Sequence, residues 1–197
     1  MRRLAAVGLV LAVACCAGAG GNPNVRAYID FDPPNYVHDV TPAPYTTVDA
    51  YLCLDQLDSG MTVVSFRLTD VVAEFPGVLA TQAFMSLLPG DIPIGGWRPW
   101  EPQGAVVGST ICAGTDGQPL AVGYATYFYL GGPAWLEILD HPDWPRWVVD
   151  CSDPLGEHDQ YCVFRNGSIG GAEVPLGDCE ETPVECGRWG VIKSLYR

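Results

Sequence analysis

The sequence predicts an all-β fold, an antiparallel β-sandwich of eight or nine short strands followed by a short C-terminal tail. Three observations carry that expectation. Hydrophobic residues make up 48% of the 197 positions and charged residues only 17%, which supplies a core and excludes disorder as the default. The 23 glycines and 17 prolines suit tight turns between short strands better than long helices. Apolar and polar residues alternate at period two in several stretches, with no long amphipathic helix and no internal repeat between them.

The first element in chain order reads as a leader. Met1-Arg2-Arg3 is a small basic region, Leu4 to Ala14 is apolar or small throughout, and Ala17-Gly18-Ala19 fits a small-residue cleavage pattern. Residues 1–19 are therefore expected to be a signal peptide, with the mature chain starting near Gly20. Ala12-Val13-Ala14-Cys15 is a rival signal, a loose lipobox in which Cys15 would carry a lipid anchor. No later apolar run reaches the roughly 18 residues a spanning helix needs. The ten Lys and Arg, less Arg2 and Arg3, leave eight against 23 acids, a net charge of −15. That balance argues against nucleic acid or anionic lipid as partners.

Residues 20–172 are expected to be the sandwich domain. Val25–Phe31 opens it. Val48–Leu54 alternates Val48, Ala50, Leu52 and Leu54 against Asp49, Tyr51 and Cys53. After the turn Asp58-Ser59-Gly60, Thr62–Leu68 sets Val64, Phe66 and Leu68 against Ser65 and Arg67, so the two stretches read as a hairpin with one buried face. Val71–Leu88 fits neither period and is expected to hold a strand and a short helical turn. Pro89–Gly104 is a loop rich in Gly, Pro and Trp. Ala105–Ala113 and Leu120–Leu130 read as strands, the second apolar on both faces and so central. Trp135–Leu139, Arg146–Cys151 and Tyr161–Asn166 complete the set. Residues 173–187 form an acidic, Cys-containing linker, and residues 188–197 a basic amphipathic tail with Trp189, Ile192 and Leu195/Tyr196 at helical spacing. That tail is expected either to sort or dock the protein, or to pack back on the acidic domain.

Outside the leader there are six cysteines, and an even count in an exported chain reads as disulfides. Six allow fifteen connectivities. Strand parity places Cys151 with Trp147 and Val149, and Cys162 with Phe164, on faces taken as core-facing, so Cys151–Cys162 is the first expectation. Cys53–Cys112 is the second, from the less apolar faces of their strands, and Cys179–Cys186 would close a loop in the tail.

No catalytic or nucleotide-binding signature occurs, and His38, His141 and His158 all fall in expected loops, so an enzyme is not expected. Two places offer metal ligands: Asp30 and Asp32 at a strand end, and Asp140, His141 and Asp143 around one turn. Ca²⁺ is the ion such an acidic exported chain would take, although no EF-hand spacing is present. No other cofactor is expected. Sugar-binding sandwiches expose flat aromatic faces to pyranose CH groups, and Trp97, Trp100, Trp135 and Trp144 are the candidates here.

"VDAYLCLDQLDSGMTVVSFRLTD", followed by "GQPLAVGYATYFYLGG" and "AWLEIL", resembles the cohesin-like and related immunoglobulin-like sandwiches of bacterial secreted or cell-surface proteins. The likeness covers roughly residues 25–170 and lies in strand order and alternation. The cysteines and the Trp-rich loop depart from it, and no binding residue carries over. Cohesins bind a partner module and sister sandwiches bind polysaccharide. The resemblance implies a non-enzymatic structural, adhesive or binding role, with polysaccharide or another surface protein as partner.

Overall fold

The computed structural model describes residues 21–81, 83–93, 98–151 and 158–179. In chain order the elements are β1 (Arg26–Asp30), β2 (Asp39–Val40), β3 (Thr46–Asp55), β4 (Met61–Leu68), one helical turn α1 (Val71–Glu74), β5 (Val78–Ala80), β6 (Met85–Ser86), β7 (Asp91–Pro93), β8 (Ala105–Ala113), β9 (Leu120–Tyr129), β10 (Ala134–Leu136), β11 (Ile138–Leu139), β12 (Trp147–Asp150), β13 (His158–Gln160), β14 (Cys162–Arg165) and β15 (Gly167–Ile169). The expected strands are present. The additional ones are two or three residues long, too short for alternation to reveal. Val71–Leu88 holds the expected mixture, with Asp70 capping α1 by accepting from the Ala73 amide at 3.2 Å.

The strands build two main sheets, face to face in a β-sandwich. One runs β14-β1-β3-β9-β5, with β6 also on β9, and the other runs β13-β12-β4-β8-β7, with β11 also on β4. A small sheet, β10-β15-β2, adds to them. Ala27, Ile29, Ala50, Leu52, Leu54, Val122, Ala125 and Tyr127 from the first sheet meet Met61, Val64, Phe66, Leu68, Ala105, Val107 and Val148 from the second in one buried cluster. In β3 and β4 the alternation of faces therefore resolves as expected, but the expected hairpin between them does not form: β3 pairs with β1 and β9, β4 with β8, β12 and β11, and the two strands face each other from opposite sheets. In β9 the alternation does not stay constant. The β3–β9 register slips between Leu52 and Cys53, next to Gly123, so Val122 and Tyr127 both reach the core although five positions apart. A side chain at 123 would run into the Phe84 ring, with Cε1 2.5 Å from the Cβ position.

The outer face of the first sheet is also covered. Tyr28 is fully buried beneath Tyr36, their rings stacked at 5.2 Å. The segment that folds Tyr36 over is organised by Asp30, whose buried carboxylate accepts the amides of Asp32, Tyr36 and Val37. His38 donates from Nδ1 to the Ile29 carbonyl at 2.6 Å.

Two parity assignments reverse. Paired residues in neighbouring strands point to the same face, so register decides which face is inward. Val148 pairs with the core residue Val64 and goes inward; Trp147 and Val149 therefore turn outward. On β14, Val163 pairs with Ala27 and is buried, so Cys162 and Phe164 turn outward.

The disulfides change accordingly. Cys112 bonds to Cys151, Cα atoms 5.9 Å apart, and Cys162 bonds to Cys179, Cα atoms 5.0 Å apart. The expected Cys151–Cys162, Cys53–Cys112 and Cys179–Cys186 pairs are all overturned. Cys53 is a buried free thiol. Its thiol is pushed up to about 12, by burial first and by the neighbouring Asp30 second. Cys186 lies outside the described residues, as do the expected leader and the basic C-terminal segment.

The start of the expected linker is tied to the sandwich. Asp178 accepts the Val163 amide at 2.7 Å and pairs with Arg146, and the Cys179 amide donates to the Val163 carbonyl at 3.1 Å. Asn166 donates to the Pro175 carbonyl at 3.0 Å. Among the described residues no helix is long and apolar enough to cross a membrane.

Candidate functional site

The turn from Leu139 into β12 is held by one imidazole. His141 is only 5% exposed, and its Nδ1 accepts the amides of Asp143 and Trp144, each at 3.2 Å. An accepting Nδ1 requires the neutral ring with its proton on Nε2. Burial pushes the His141 pKa down, with the Asp143 charge opposing it. Gly104 makes room for the ring. It adopts φ +67, and a Cβ there would lie 2.8 Å from His141 Cδ2. The imidazole lies flat against Trp144, ring centroids 5.3 Å apart and planes 19° apart.

Ser65 on β4 fastens the same turn to the sheet. Its hydroxyl donates to the Trp144 carbonyl at 2.5 Å and accepts the Trp147 amide at 3.0 Å. Arg146, with φ +53, lets the chain swing between the two tryptophans. The result is an apolar depression of about 220 Å³ on the outer face of the second sheet, lined by Val63, Ser65, Val106, Trp144, Trp147 and Val149. Register assembles it: Val63 pairs with Val149, and Ser65 with Val106. Trp144 is 40% exposed. Ser65 is the one polar side chain in the lining, and its hydroxyl is already committed to backbone groups.

The structure does not bring the three described sequence-selected tryptophans together. Trp100 packs half-buried against the core, near Tyr127 at 6.3 Å. Trp135 meets Phe75 edge-on at 4.4 Å. Trp144 alone of the described three is exposed, and Trp97 lies outside the described residues. The partner of Trp144 is Trp147, which parity had placed in the core.

The candidate metal ligands do not converge. Asp140 pairs with Arg146 Nε at 2.6 Å, and Arg146 also pairs with Asp178. His141 Nδ1 is spent on two amides, and Asp143 is exposed. Asp30 holds its own loop, and Asp32 accepts from Asn35 Nδ2 at 3.0 Å. Among the described residues no three His, Cys, Asp or Glu side chains converge as a metal would need.

No family model matches the chain, and no curated protein matches it. Solved structures do share its outline. The fold resembles that of cohesin domains. A type II cohesin domain from the cellulosome of Acetivibrio cellulolyticus is 11% identical with a TM-score of 0.49, matching 76% of this chain and 96% of that one. The seventh ScaB type I cohesin from Pseudobacteroides cellulosolvens is 11% identical with a TM-score of 0.46, over 78% of this chain and 96% of that one. At these identities the likeness concerns the fold alone.

Proposed function

We propose that the chain is an exported, non-enzymatic β-sandwich that binds a protein partner at the cell surface through the Trp144–Trp147 face. One observation carries this reading: an outward-facing depression whose lining is apolar and whose one polar side chain, Ser65, already serves the backbone. Such a surface offers a place for an apolar side chain and few hydrogen bonds for a hydroxyl-rich ligand. Large aromatic side chains held by a rigid scaffold are the usual anchors of protein contacts. The stacked His141 and the Ser65 hydrogen bonds fix Trp144 before any partner arrives, which lowers the ordering cost of association.

A sugar-binding role for Trp144 is the second reading, because one ring face is presented flat and backed by His141. One experiment separates the two. Purified protein is titrated onto intact cells that display the chain's native surface, and onto a panel of insoluble polysaccharides. Saturable cell binding that is lost on protease treatment of the cells, and weakened at least tenfold by Trp144→Ala or Trp147→Ala, is the expected result. Retention on a polysaccharide that Trp144→Ala abolishes would replace the protein reading with the sugar one. Cell binding unchanged in both variants would sink the proposed face.

A further inference from the structure

Residues 171–179 follow β15 and run back along β14 as a strap. None of them is buried, and Leu176 is 83% exposed. The strap is therefore held with little of the apolar burial that holds most of a folded chain. Its polar contacts meet the outer edge of β14. The Cys179 amide donates to the Val163 carbonyl at 3.1 Å, and Asp178 Oδ1 accepts the Val163 amide at 2.7 Å. The neighbouring Cys162 amide turns the other way, donating to the Val25 carbonyl at 3.3 Å beside β1. The strap thus caps the strand edge that β1 leaves open. Gly177 lets it come this close, since a Cβ there would lie 2.2 Å from the Val163 carbonyl oxygen. The Cys162–Cys179 bond fastens its end. Neither cysteine is buried. Cys162 lines a cleft of about 460 Å³ and, with Cys179, a second of about 340 Å³. Beside the bond, Asp178 pairs with Arg146, the residue that separates Trp144 from Trp147.

We propose that the Cys162–Cys179 bond is a redox latch: a dithiol reductant opens it, the strap leaves the β14 edge, and Arg146 loses Asp178, which loosens the turn that carries Trp144. A thiolate of the dithiol attacks one sulfur of the bridge, and its second thiol then resolves the mixed disulfide. The S–S bond of the chain breaks and that of the dithiol forms. Two electrons and two protons pass to the chain, leaving Cys162 and Cys179 as thiols. With the bond closed, the strap's end is held beside β14 at high effective concentration, so a few hydrogen bonds suffice. With it open, the same hydrogen bonds compete with water and are worth little net. Opening Cys112–Cys151 would release no such strap, because that bond joins two strands that both pair with β4. The effect of the latch on partner binding rests on the reading of the Trp144–Trp147 face given above.

The full, oxidised chain is treated with dithiothreitol, and amide hydrogen exchange is followed residue by residue by NMR. Exchange at the Val163 and Cys179 amides is expected to quicken about tenfold or more, and at Asp143 and Trp144 in the turn as well, with β3 and β9 unchanged. Cys162→Ser/Cys179→Ser should show the same pattern without reductant, and Cys112→Ser/Cys151→Ser should not. Unchanged protection at Val163 and Cys179 after the bridge has opened overturns the latch. So does a bond that stays closed until the chain unfolds, or exchange that quickens evenly across the sandwich. A turn that keeps its protection once the strap has gone overturns the link to Trp144. If the Cys162→Ser/Cys179→Ser chain fails to fold, the reduced wild type decides, its open bridge counted by mass. Exchange is read with no partner present, so cell binding that ignores Trp144→Ala would sink the binding face and leave these outcomes untouched.

Discussion

Cys112 and Cys151 are joined across the end of a strand that belongs to neither of them. Both β8 and β12 pair with β4, one on each side, and β4 begins at Met61. The bridge passes over Gly60, where the Cys112 sulfur lies 2.7 Å from the position a Cβ would occupy. The residue that admits the disulfide is thus the turn glycine of the β3–β4 connection, which crosses from one sheet to the other, at φ +65.

Gly60→Ala is expected to destabilise the protein on two counts. The left-handed backbone costs an L residue about 1–2 kcal/mol. The added methyl also meets Cys112 Sγ and the Ala113 carbonyl oxygen, both at 2.7 Å. A fall of at least about 2–4 °C in Tm per kcal/mol lost is the expected readout. Non-reducing peptide mapping of the wild type should recover Cys112–Cys151 and Cys162–Cys179; a Cys151–Cys162 peptide would refute the register described above.

Cys53 is expected to resist alkylation in the native protein at pH 8 and to react fully once unfolded. The nucleophile is the thiolate, and burial leaves almost none of it at that pH. The same shift predicts alkaline sensitivity. A thiol raised from 9.0 to about 12 contributes stability that is complete below 9 and is lost as pH rises from 9 toward 12. Burial raises Tyr28, Tyr127 and Tyr161 as well, so they add to the loss at higher pH. Tm followed from pH 8 to 11 should fall, and less steeply in Cys53→Ser. Rapid labelling of Cys53 in the folded state would contradict its burial.

His141 is expected to make the turn acid-sensitive. Its folded pKa lies below the ordinary 6.5, so the neutral ring's contribution is present above 6.5 and lost as pH falls below it. His141→Ala removes the acceptor of two amides and should cost about 1–3 kcal/mol. His141→Asn supplies an oxygen for the same turn and should recover part of that. Both should flatten the acid limb of a Tm against pH curve. A limb unchanged by either variant would mean that another group controls it.

Trp147 and Val148 are neighbours with opposite roles. Val148 is fully buried against Val64, and truncation to Ala should cost about 2 kcal/mol from the lost methyl groups and the cavity left behind. Trp147→Ala removes a much larger side chain from the outer face, and Tm should move less. Thermal unfolding of the two variants in one buffer decides. A larger loss for Trp147→Ala would return that ring to the core.

Much of this was readable before any coordinates. The alternation in 48–54 and 62–68 marks the core faces of β3 and β4 because each has one continuously apolar side. Gly60 and the polar turn before it mark the break between them, but not that the chain there crosses to the opposite sheet instead of closing a hairpin. The outer apolar face was legible too, in a signal that parity misread. Val63-Val64, Val106-Val107 and Val148-Val149 are consecutive valines on three neighbouring strands, and period two must send one of each pair outward. What the sequence by itself determined is that these strands are apolar on both sides. Which side faces in was decided only by pairing: Val148 follows Val64, and Val163 follows Ala27. The cysteines obey the same rule. Their partners depend on which strand ends meet, and that follows from strand order across the whole sheet, a long-range property that no local pattern encodes. His141, Trp144 and Trp147 became one site because β4 presented Ser65 beneath a turn 79 residues further along the chain.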